Sequence, residues 1–511
     1  MFQSRTLIRS AVLFFSTFVL LVISGCVAVT PDVAAARNGL RVGNDVKALA
    51  WAEKKKCSWY SKPLGYVETG RVRMLGGDFL GSSTNFSFII DSVIDDTAEG
   101  PVLKLGSVGA NVMAGTVTDD RTRPYELPAY EFIQALNYQM LNHIFLSQID
   151  AACVEARRAV FAQDAIAEKY AAEVVKKNNE AEEEAQTQNK ENAATDEDHD
   201  AAMLRVNQEL DKMAPVLEKS RCSYENALVW YLSGVLLEEQ KDISNAALCY
   251  RKANEISPHN PYIRRDFLRT LATQDQVAYQ TLMKQYNLKP QDVVRAPAEL
   301  IIILEESFVP QRKSVKIPLP VGGTLTSADF PFYEEGPHNP IYFEVSCDGA
   351  SLGGGAEAVN IQALAYHDLK EKMPGVVLRN VTRIGTRIAA QQVANQVGDT
   401  AKLAVLAFNA VSTVINKADT RAWYTLPAIA YLTSHAVQPG QRKITLRNPA
   451  TGYTIDIPVQ VAEGERRLIW LADIEGCSRI GTASLNGKGG SPTFMTEGSL
   501  LTGPRLLTTA N

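Results

Sequence analysis

Residues 230–258 read WYLSGVLLEEQKDISNAALCYRKANEISP, and this stretch decides how the first half of the chain folds. Six of its residues stand at the offsets of a tetratricopeptide (TPR) repeat: Trp230, Gly234, Ala246, Tyr250, Ala253 and Pro258. Gly234 and Ala246 are small where two antiparallel helices approach closely, and Pro258 ends the second helix. Ser233 and Leu237 replace the usual Leu and Tyr, so a chance helical hairpin stays as the alternative.

Two weaker copies of this pattern precede it. Gly70, Gly77-Asp78-Phe79, Ser82 and Phe86 repeat the same relative offsets, and a third helical pair covers Tyr130 to Asn142 and Ser147 to Val160. Because a single repeat cannot bury its own apolar face, the copies predict a stacked solenoid with a groove. We expect residues 46–290 to form this TPR-like helical repeat domain, and the groove to bind a protein or peptide partner.

Two insertions interrupt the helical pattern. Residues 97–128 are rich in Gly and Pro and predict a long irregular loop. Residues 178–200 hold nine acids and one Lys, without an apolar side chain larger than Ala. This composition predicts a disordered acidic arm, either a solvated spacer or a site for a basic partner.

The last third of the chain changes character. Short β-branched or alternating runs bounded by Pro and Gly predict strands at 300–304, 315–319, 341–347, 359–365, 428–432, 443–446, 453–461 and 467–472. Between them, residues 369–417 are Ala-rich and amphipathic, as a helix would be. The fold class is therefore α+β: the helical solenoid, then a β-sandwich-like domain at 291–475 with a helical insertion at 369–417. The Gly-, Ser- and Thr-rich residues 476–511 predict a flexible tail.

The first residues indicate a compartment. Arg5 and Arg9 precede an uncharged apolar run that ends in Ile23-Ser24-Gly25-Cys26, the pattern of a bacterial lipobox. We expect residues 1–25 to be a lipoprotein signal peptide, Cys26 to carry the lipid, and 26–45 to be a tether. Val27 is not the Asp that retains lipoproteins in the inner membrane. The expected location is thus the outer membrane, lipid-anchored and facing the periplasm. An ordinary signal peptide with an incidental Cys is the alternative.

Composition and motifs exclude several kinds of chemistry. The chain has 511 residues and a net charge of −5, which argues against a nucleic-acid partner. Its six His are scattered, and neither a G-x-S-x-G elbow nor an H-E-x-x-H helix occurs, so we expect no cofactor, no metal and no assigned catalytic residue. Six Cys follow Cys26 and allow 15 pairings, among which 57–222 and 347–477 are suggested by local context, with buried thiols as the alternative.

One polar cluster joins the helical insertion to the returning strands. It contains Asp419, Arg421 and Trp423 within Ala418-Asp419-Thr420-Arg421-Ala422-Trp423. Arg421 offers a planar fork to a carboxylate, and Trp423 would pack beneath it. We favour a buried ion pair that holds two subdomains over a carboxylate- or glycan-binding spot.

These pieces together resemble a family of uncharacterised bacterial lipoproteins with TPR-like repeats. The resemblance lies in the lipobox, Leu64-Gly65-Tyr66 with Gly70-Arg71, Ala135-Leu136-Asn137-Tyr138, Val154-Glu155-Ala156-Arg157-Arg158, the repeat from Tyr231 to Pro258, and Ala418 to Trp423. It covers most of the chain, but neither the acidic arm nor the last residues. It implies location and architecture, and work in the cell envelope near cell-wall synthesis.

The sequence therefore predicts a lipid-anchored periplasmic scaffold that binds envelope proteins through its repeats. One alternative is an envelope hydrolase of peptidoglycan or another glycan, which would use dispersed carboxylates such as Asp119 and Asp120, or the junction at Asp419. A structural subunit of an envelope assembly is the other.

Overall fold

A computed structural model describes residues 32–97, 100–104, 123–189, 194–333, 338–397 and 417–504, with the backbone alone for 170–189. Helices dominate the N-terminal half and strands the C-terminal half, which confirms a mixed α+β fold. The helices are α1 (Asp32–Arg41), α2 (Asp45–Lys56), α3 (Lys62–Leu75), α4 (Phe79–Val93), α5 (Ala129–Phe145), α6 (Ile149–Asn189), α7 (Asp196–Leu210), α8 (Ala214–Leu217), α9 (Ala227–Glu239), α10 (Ile243–Ile256), α11 (Pro261–Gln274), α12 (Gln276–Gln285) and α13 (Ile361–Val397).

The strands are β1 (Ile94–Thr97), β2 (Gly100–Leu103), β3 (Glu299–Glu306), β4 (Arg312–Val321), β5 (Thr324–Tyr333), β6 (Glu344–Cys347), β7 (Ala350–Gly354), β8 (Ala356–Asn360), β9 (Ile429–Ala436), β10 (Gly440–Arg447), β11 (Thr454–Val461), β12 (Arg466–Asp473), β13 (Ser478–Ser484) and β14 (Thr493–Glu497). Two larger sheets form, in the orders β14-β13-β12-β3-β9-β8 and β11-β10-β6-β7. Only β3 and β12 pair in parallel in the larger one. β1 pairs with β2, and β4 with β5, as separate ribbons.

Four helix pairs turn in the same way. The connections α1–α2, α3–α4, α5–α6 and α9–α10 each have three residues, and the middle one adopts a left-handed conformation: Gly43 (φ +76°), Gly77 (+80°), Ser147 (+59°) and Lys241 (+67°). The next amide then donates to a carbonyl five residues earlier, as Asp78 does to Arg73 at 2.9 Å. This closure satisfies carbonyls that the helix end leaves free. Ser147 and Lys241 thus perform the role that glycine has at position 77.

Two of these pairs also share a close approach. A Cβ placed on Gly234 would lie 3.0 Å from the Tyr250 ring, and one on Gly70 would lie 2.8 Å from the Phe86 ring. Each Gly precedes its aromatic partner by the same number of residues. A side chain at either glycine would force the second helix away.

The six-stranded sheet has apolar residues on both faces. On one face, Ile303 and Trp470 belong to a core shared with helical residues such as Leu64 and Leu136. On the other, Ile302 and Ile469 pack in a second cluster with Ile444 and Ile457 of the four-stranded sheet. The helices of 46–290 and the larger sheet of 291–475 therefore bury one core between them.

Both ends of the chain were expected to be loose, and the structure corrects both expectations. Residues 32–41 of the expected tether form α1, whose Arg37 donates to the carbonyls of Tyr424 (2.6 Å) and Val309 (2.6 Å). Within the expected tail, 478–484 and 493–497 are strands of the larger sheet. Ile480 and Leu485 are buried there, so burial against β12 outweighs the loop-like composition.

The inserted segments also differ from the expectations. The helical insertion begins at Ile361 and reaches Val397, so residues 361–365 are helical instead of extended. The acidic arm is not disordered throughout, because α6 continues to Asn189 and Thr195 caps α7 through the amide of Asp198. In the expected loop 97–128, residues 100–103 form β2 and 105–122 lie outside the described residues.

Cys57, Cys153, Cys222, Cys249, Cys347 and Cys477 are thiols, so neither suggested disulfide is present.

Candidate functional site

The junction cluster lies just before β9, between the helices and the larger sheet. Arg421 Nη2 contacts Asp419 Oδ2 at 2.7 Å, and Arg421 Nη1 donates to the carbonyl of Tyr60 at 2.6 Å. Trp423 is buried, and its ring centroid lies 5.7 Å from those of Phe86 and Tyr138. Asp419 and Arg421 thus pair with each other, although Asp419 is 28% exposed and the pair is not the fully buried one expected, and the guanidinium fork is occupied by groups of the chain itself.

Two buried carboxylates hold the backbone of this segment. The Trp423 amide donates to Oε1 of Glu131 on α5 (2.9 Å), and the Tyr424 amide donates to Oε1 of Glu68 on α3 (2.8 Å). The Thr425 hydroxyl donates to the second oxygen of Glu68 at 2.6 Å. Buried amides outside a helix or sheet need such acceptors. Sequence analysis missed both acids, although an acid within an otherwise apolar helical stretch was a usable signal.

Burial changes the ionisation of these groups. Desolvation raises the pKa of Glu131 to about 7 and also raises the pKa of Glu68. Desolvation lowers the pKa of Lys55 to about 8, although its Nζ lies 3.7 Å from Glu68 Oε1. Perturbed pKa values are common in active sites and in structural networks alike. Here all three side chains are buried; Glu68 and Glu131 accept hydrogen bonds from the junction, and Lys55 pairs with Glu68, so together they position it.

The raised pKa of Glu131 predicts a pH dependence of stability. Because the folded pKa of about 7 exceeds the ordinary 4.5, the folded state binds more protons between these values, and stability falls as pH rises through them. The full shift corresponds to about 3 kcal/mol. We expect the free energy of unfolding, measured by urea titration, to decline less in Glu131→Gln than in the wild type between about pH 5 and pH 8. Exposed Glu255→Gln is the control; equal slopes in both variants would contradict the assignment.

A second polar network joins the helices to the sheet at its other end. Arg466 on β12 contacts Glu238 (2.6 Å) on α9 and Glu299 (2.8 Å) on β3. Arg265 on α11 contacts Glu299 at 2.8 Å, and the Tyr231 hydroxyl donates to Asp266 at 2.7 Å. Arg466, Glu238 and Glu299 are each more than nine-tenths buried. Each charge has an opposite partner within reach, which is the arrangement of a structural network.

The carboxylates that a hydrolase would need are buried, paired or outside the described residues. Asp119 and Asp120 lie outside them, and Asp419 is paired with Arg421. Glu306 and Asp473 are adjacent at the carboxyl ends of the parallel strands, but both are buried. Asp473 accepts from the Ser499 hydroxyl (2.6 Å), and Glu306 accepts from the Tyr431 hydroxyl (2.5 Å). In this part of the chain, no group of His, Cys, Asp or Glu residues has the arrangement of a metal site.

The repeat residues lie on α9, α10 and the turn after them. Trp230, Ala246, Tyr250 and Ala253 are buried, whereas Pro258 is exposed in the turn between α10 and α11. Asn260 then donates to the carbonyls of Ala356 (3.2 Å) and Leu432 (3.5 Å) in β8 and β9. The side of the helical row that carries the shared core, here called its inner side, faces the larger sheet and the junction.

An exposed aromatic surface is formed by α3, α4 and the loop between α2 and α3. Trp59 is 63% exposed, and Phe88, which is 42% exposed, stacks on Tyr66 with ring centroids 3.9 Å apart. Lys56 Nζ lies 4.8 Å from the Tyr66 ring and Lys62 Nζ lies 5.4 Å from the Phe88 ring. We call these five residues the Trp59 platform. Sequence analysis missed it, although a Trp inside the polar stretch 54–62 was a signal.

Comparison of the chain with protein-family models, curated proteins and solved structures gives no match. In the ranges that the structure covers, no helix combines the length and apolar character needed to cross a membrane. Cys26, the residue expected to be acylated, lies outside these ranges.

Proposed function

We propose that this chain is a scaffold of the periplasm, lipid-anchored to the outer membrane through Cys26, that binds another envelope protein. The lipobox supports the anchor, and the two buried polar networks support a rigid body. Glu68 and Glu131 fix the junction to the helices, while Arg466 fixes the sheet to α9. A rigid body presents its surfaces in a fixed geometry, as a scaffold requires.

Within this proposal, the helix pairs are TPR-like repeats. The support is the recurring left-handed turn residue and the Gly-to-aromatic approach in α3–α4 and α9–α10. α11 and α12 continue the row after Pro258. Since the inner side of the row faces the sheet, the partner must use an outer surface.

The observation that carries the proposal is the end of the helical row. α12 packs chiefly on α11, with a small core of its own that contains Leu268, Met283 and Val293. Its Val277 is 78% exposed. The other exposed residues of α12 are polar: Gln276, Gln280, Thr281, Lys284 and Gln285. This is the polar outer face with which repeat arrays normally end, and Val277 is its exposed apolar side chain, where we place the contact with the partner.

Photo-crosslinking in living cells tests this placement. We expect a photoreactive phenylalanine derivative at Val277 to form a discrete adduct with an envelope protein. Leu325, at the turn between β4 and β5, is 71% exposed and serves as the matched control. Equal adduct patterns at the two positions, or none at Val277, would contradict a partner on α12.

A further inference from the structure

We propose that the Trp59 platform is a membrane-contact surface, which places its aromatic rings among lipid headgroups. This inference rests on the proposed lipid anchor, and it adds the orientation of the protein on the membrane. The ligand is the bilayer interface itself, with lysines facing lipid phosphates.

The chain leaves its proposed anchor a short distance before α1. Five residues, 27–31, separate Cys26 from the start of α1 at Asp32. A fully extended chain of this length spans at most about 20 Å. Acylation of Cys26 would therefore hold the beginning of α1 within about 20 Å of the bilayer surface.

The end of α2 lies beside the beginning of α1. α1 and α2 are antiparallel neighbours joined by residues 42–44, and the Asn44 amide donates to the Gly39 carbonyl at 2.8 Å. A Cβ on Gly39 would lie 3.7 Å from the Lys47 Cβ. Because the two helices are antiparallel and have the same rise per residue, the residue seven positions before Gly39 lies level with the residue seven positions after Lys47. Asp32 is therefore level with Lys54. The start of α1 thus lies beside the end of α2, where Lys56 and the loop with Trp59 begin.

The surface combines aromatic rings with lysines. Trp and Tyr are enriched at membrane–water interfaces, where their rings are partly apolar and partly polar. Residues 54–62 read KKKCSWYSK and contain no acid. Lysines close to anionic lipids contribute about 1 kcal/mol each to binding. Exposed rings flanked by the exposed Lys54 and Lys62 match this environment, while Lys56 is paired with Glu53 at 3.0 Å.

The loop that carries Trp59 is also held in place. The Tyr60 carbonyl accepts from the Tyr125 amide (2.8 Å) and from Arg421 Nη1 (2.6 Å). The Trp59 ring packs edge-on against Tyr60 with centroids 5.4 Å apart. A fixed ring loses little conformational entropy on entering the headgroup layer.

Trp59 offers a direct test by fluorescence. Of the five tryptophans, Trp51, Trp230, Trp423 and Trp470 are buried, so Trp59 is the one open to a quencher. The acylated full chain, purified from cells, would be reconstituted in phosphatidylethanolamine vesicles with and without phosphatidylglycerol. These would contain phosphatidylcholine brominated near its headgroup end. We expect quenching of part of the emission with a blue shift of the quenched component, and stronger quenching with phosphatidylglycerol.

Three variants make the result specific. Trp59→Phe should abolish the quenching, and Leu325→Trp in the Trp59→Phe background should not restore it. The paired change Lys54→Glu with Lys62→Glu should remove the effect of phosphatidylglycerol. If the protein is acylated and bound to vesicles but Trp59 is not quenched, the membrane-contact inference is wrong and the proposed anchor stands. In that case an adduct from a photoreactive residue at Phe88 would assign the platform to a protein partner. Absence of acylation would instead overturn the proposed anchor.

Discussion

Replacing Arg466 with methionine is expected to lower the free energy of unfolding by about 3–5 kcal/mol. Arg466 is 1% exposed and contacts Glu238, Glu239 and Glu299 at 2.6, 3.5 and 2.8 Å. The methionine fills a similar volume but removes one cation from a balanced network, in which Glu299 keeps only Arg265. The network then holds one buried negative charge in excess, and a buried charge without compensation costs far more than the pair itself contributes. Urea titration followed by circular dichroism measures the change.

A matched pair of controls separates this cause from a general loss of packing. Arg447 contacts Glu344 at 3.2 Å, and both are about half exposed, so Arg447→Met should cost less than about 1 kcal/mol. Adding Glu299→Leu to Arg466→Met removes the excess negative charge, while Arg265 keeps Asp266, and should restore part of the stability. A cost for Arg466→Met no larger than that for Arg447→Met would show that the network contributes little.

Local patterns predicted the local features of this fold well. Gly234 and Tyr250 mark a helical hairpin because their spacing follows from helix geometry alone. The same spacing identified the α3–α4 pair through Gly70 and Phe86, which the structure places in close approach. Seven of the eight predicted strands of the last third lie at nearly the observed positions, whereas β5, β7, β13 and β14 were not predicted. Alternation marks β11, and continuous apolar runs mark the fully buried β3 and β12.

Long-range contacts account for what the sequence did not reveal. The Tyr424 amide binds Glu68 across 356 positions of sequence, and no local pattern signals that contact. The same holds for residues 478–484, whose loop-like composition becomes a strand because β12 lies beside it. α1 resembled a tether for a similar reason, as its contacts with Val309 and Tyr424 are distant in sequence. The junction was recognised as an ion pair, but the acids that hold it were not.

These contacts also bear on the proposed scaffold. The helices share a core with the larger sheet, so that side of the helical row is covered. The proposed partner would therefore meet the end of the row at α12, and the proposed membrane contact would use the aromatic surface of the first helices. The two exposed surfaces are distinct, so a membrane contact and a protein contact are compatible in one molecule.

Replacement of Cys26 with serine is expected to abolish lipid attachment altogether. Serine lacks the thiolate that accepts the diacylglyceryl group, and lipoprotein signal peptidase acts on the modified cysteine. A precursor that retains residues 1–25 should therefore accumulate, and labelling with a palmitate analogue should fall to background. Cys57→Ser is a matched control, because Cys57 is an exposed thiol outside the lipobox. It should be labelled like the wild type, and equal labelling of the Cys26 variant would disprove the anchor.

Membrane fractionation then tests the sorting of the acylated protein. With Val27 after the cysteine, the wild type should separate with the outer membrane, and Val27→Asp should move it to the inner membrane. The Val27 variant keeps every residue from α1 onward, so the Trp59 platform should contact whichever membrane holds the lipid. If Trp59 is quenched equally in vesicles for both variants while fractionation separates them, residue 27 alone sets the location. Co-fractionation of both with one membrane would leave the anchor intact and contradict the outer-membrane assignment.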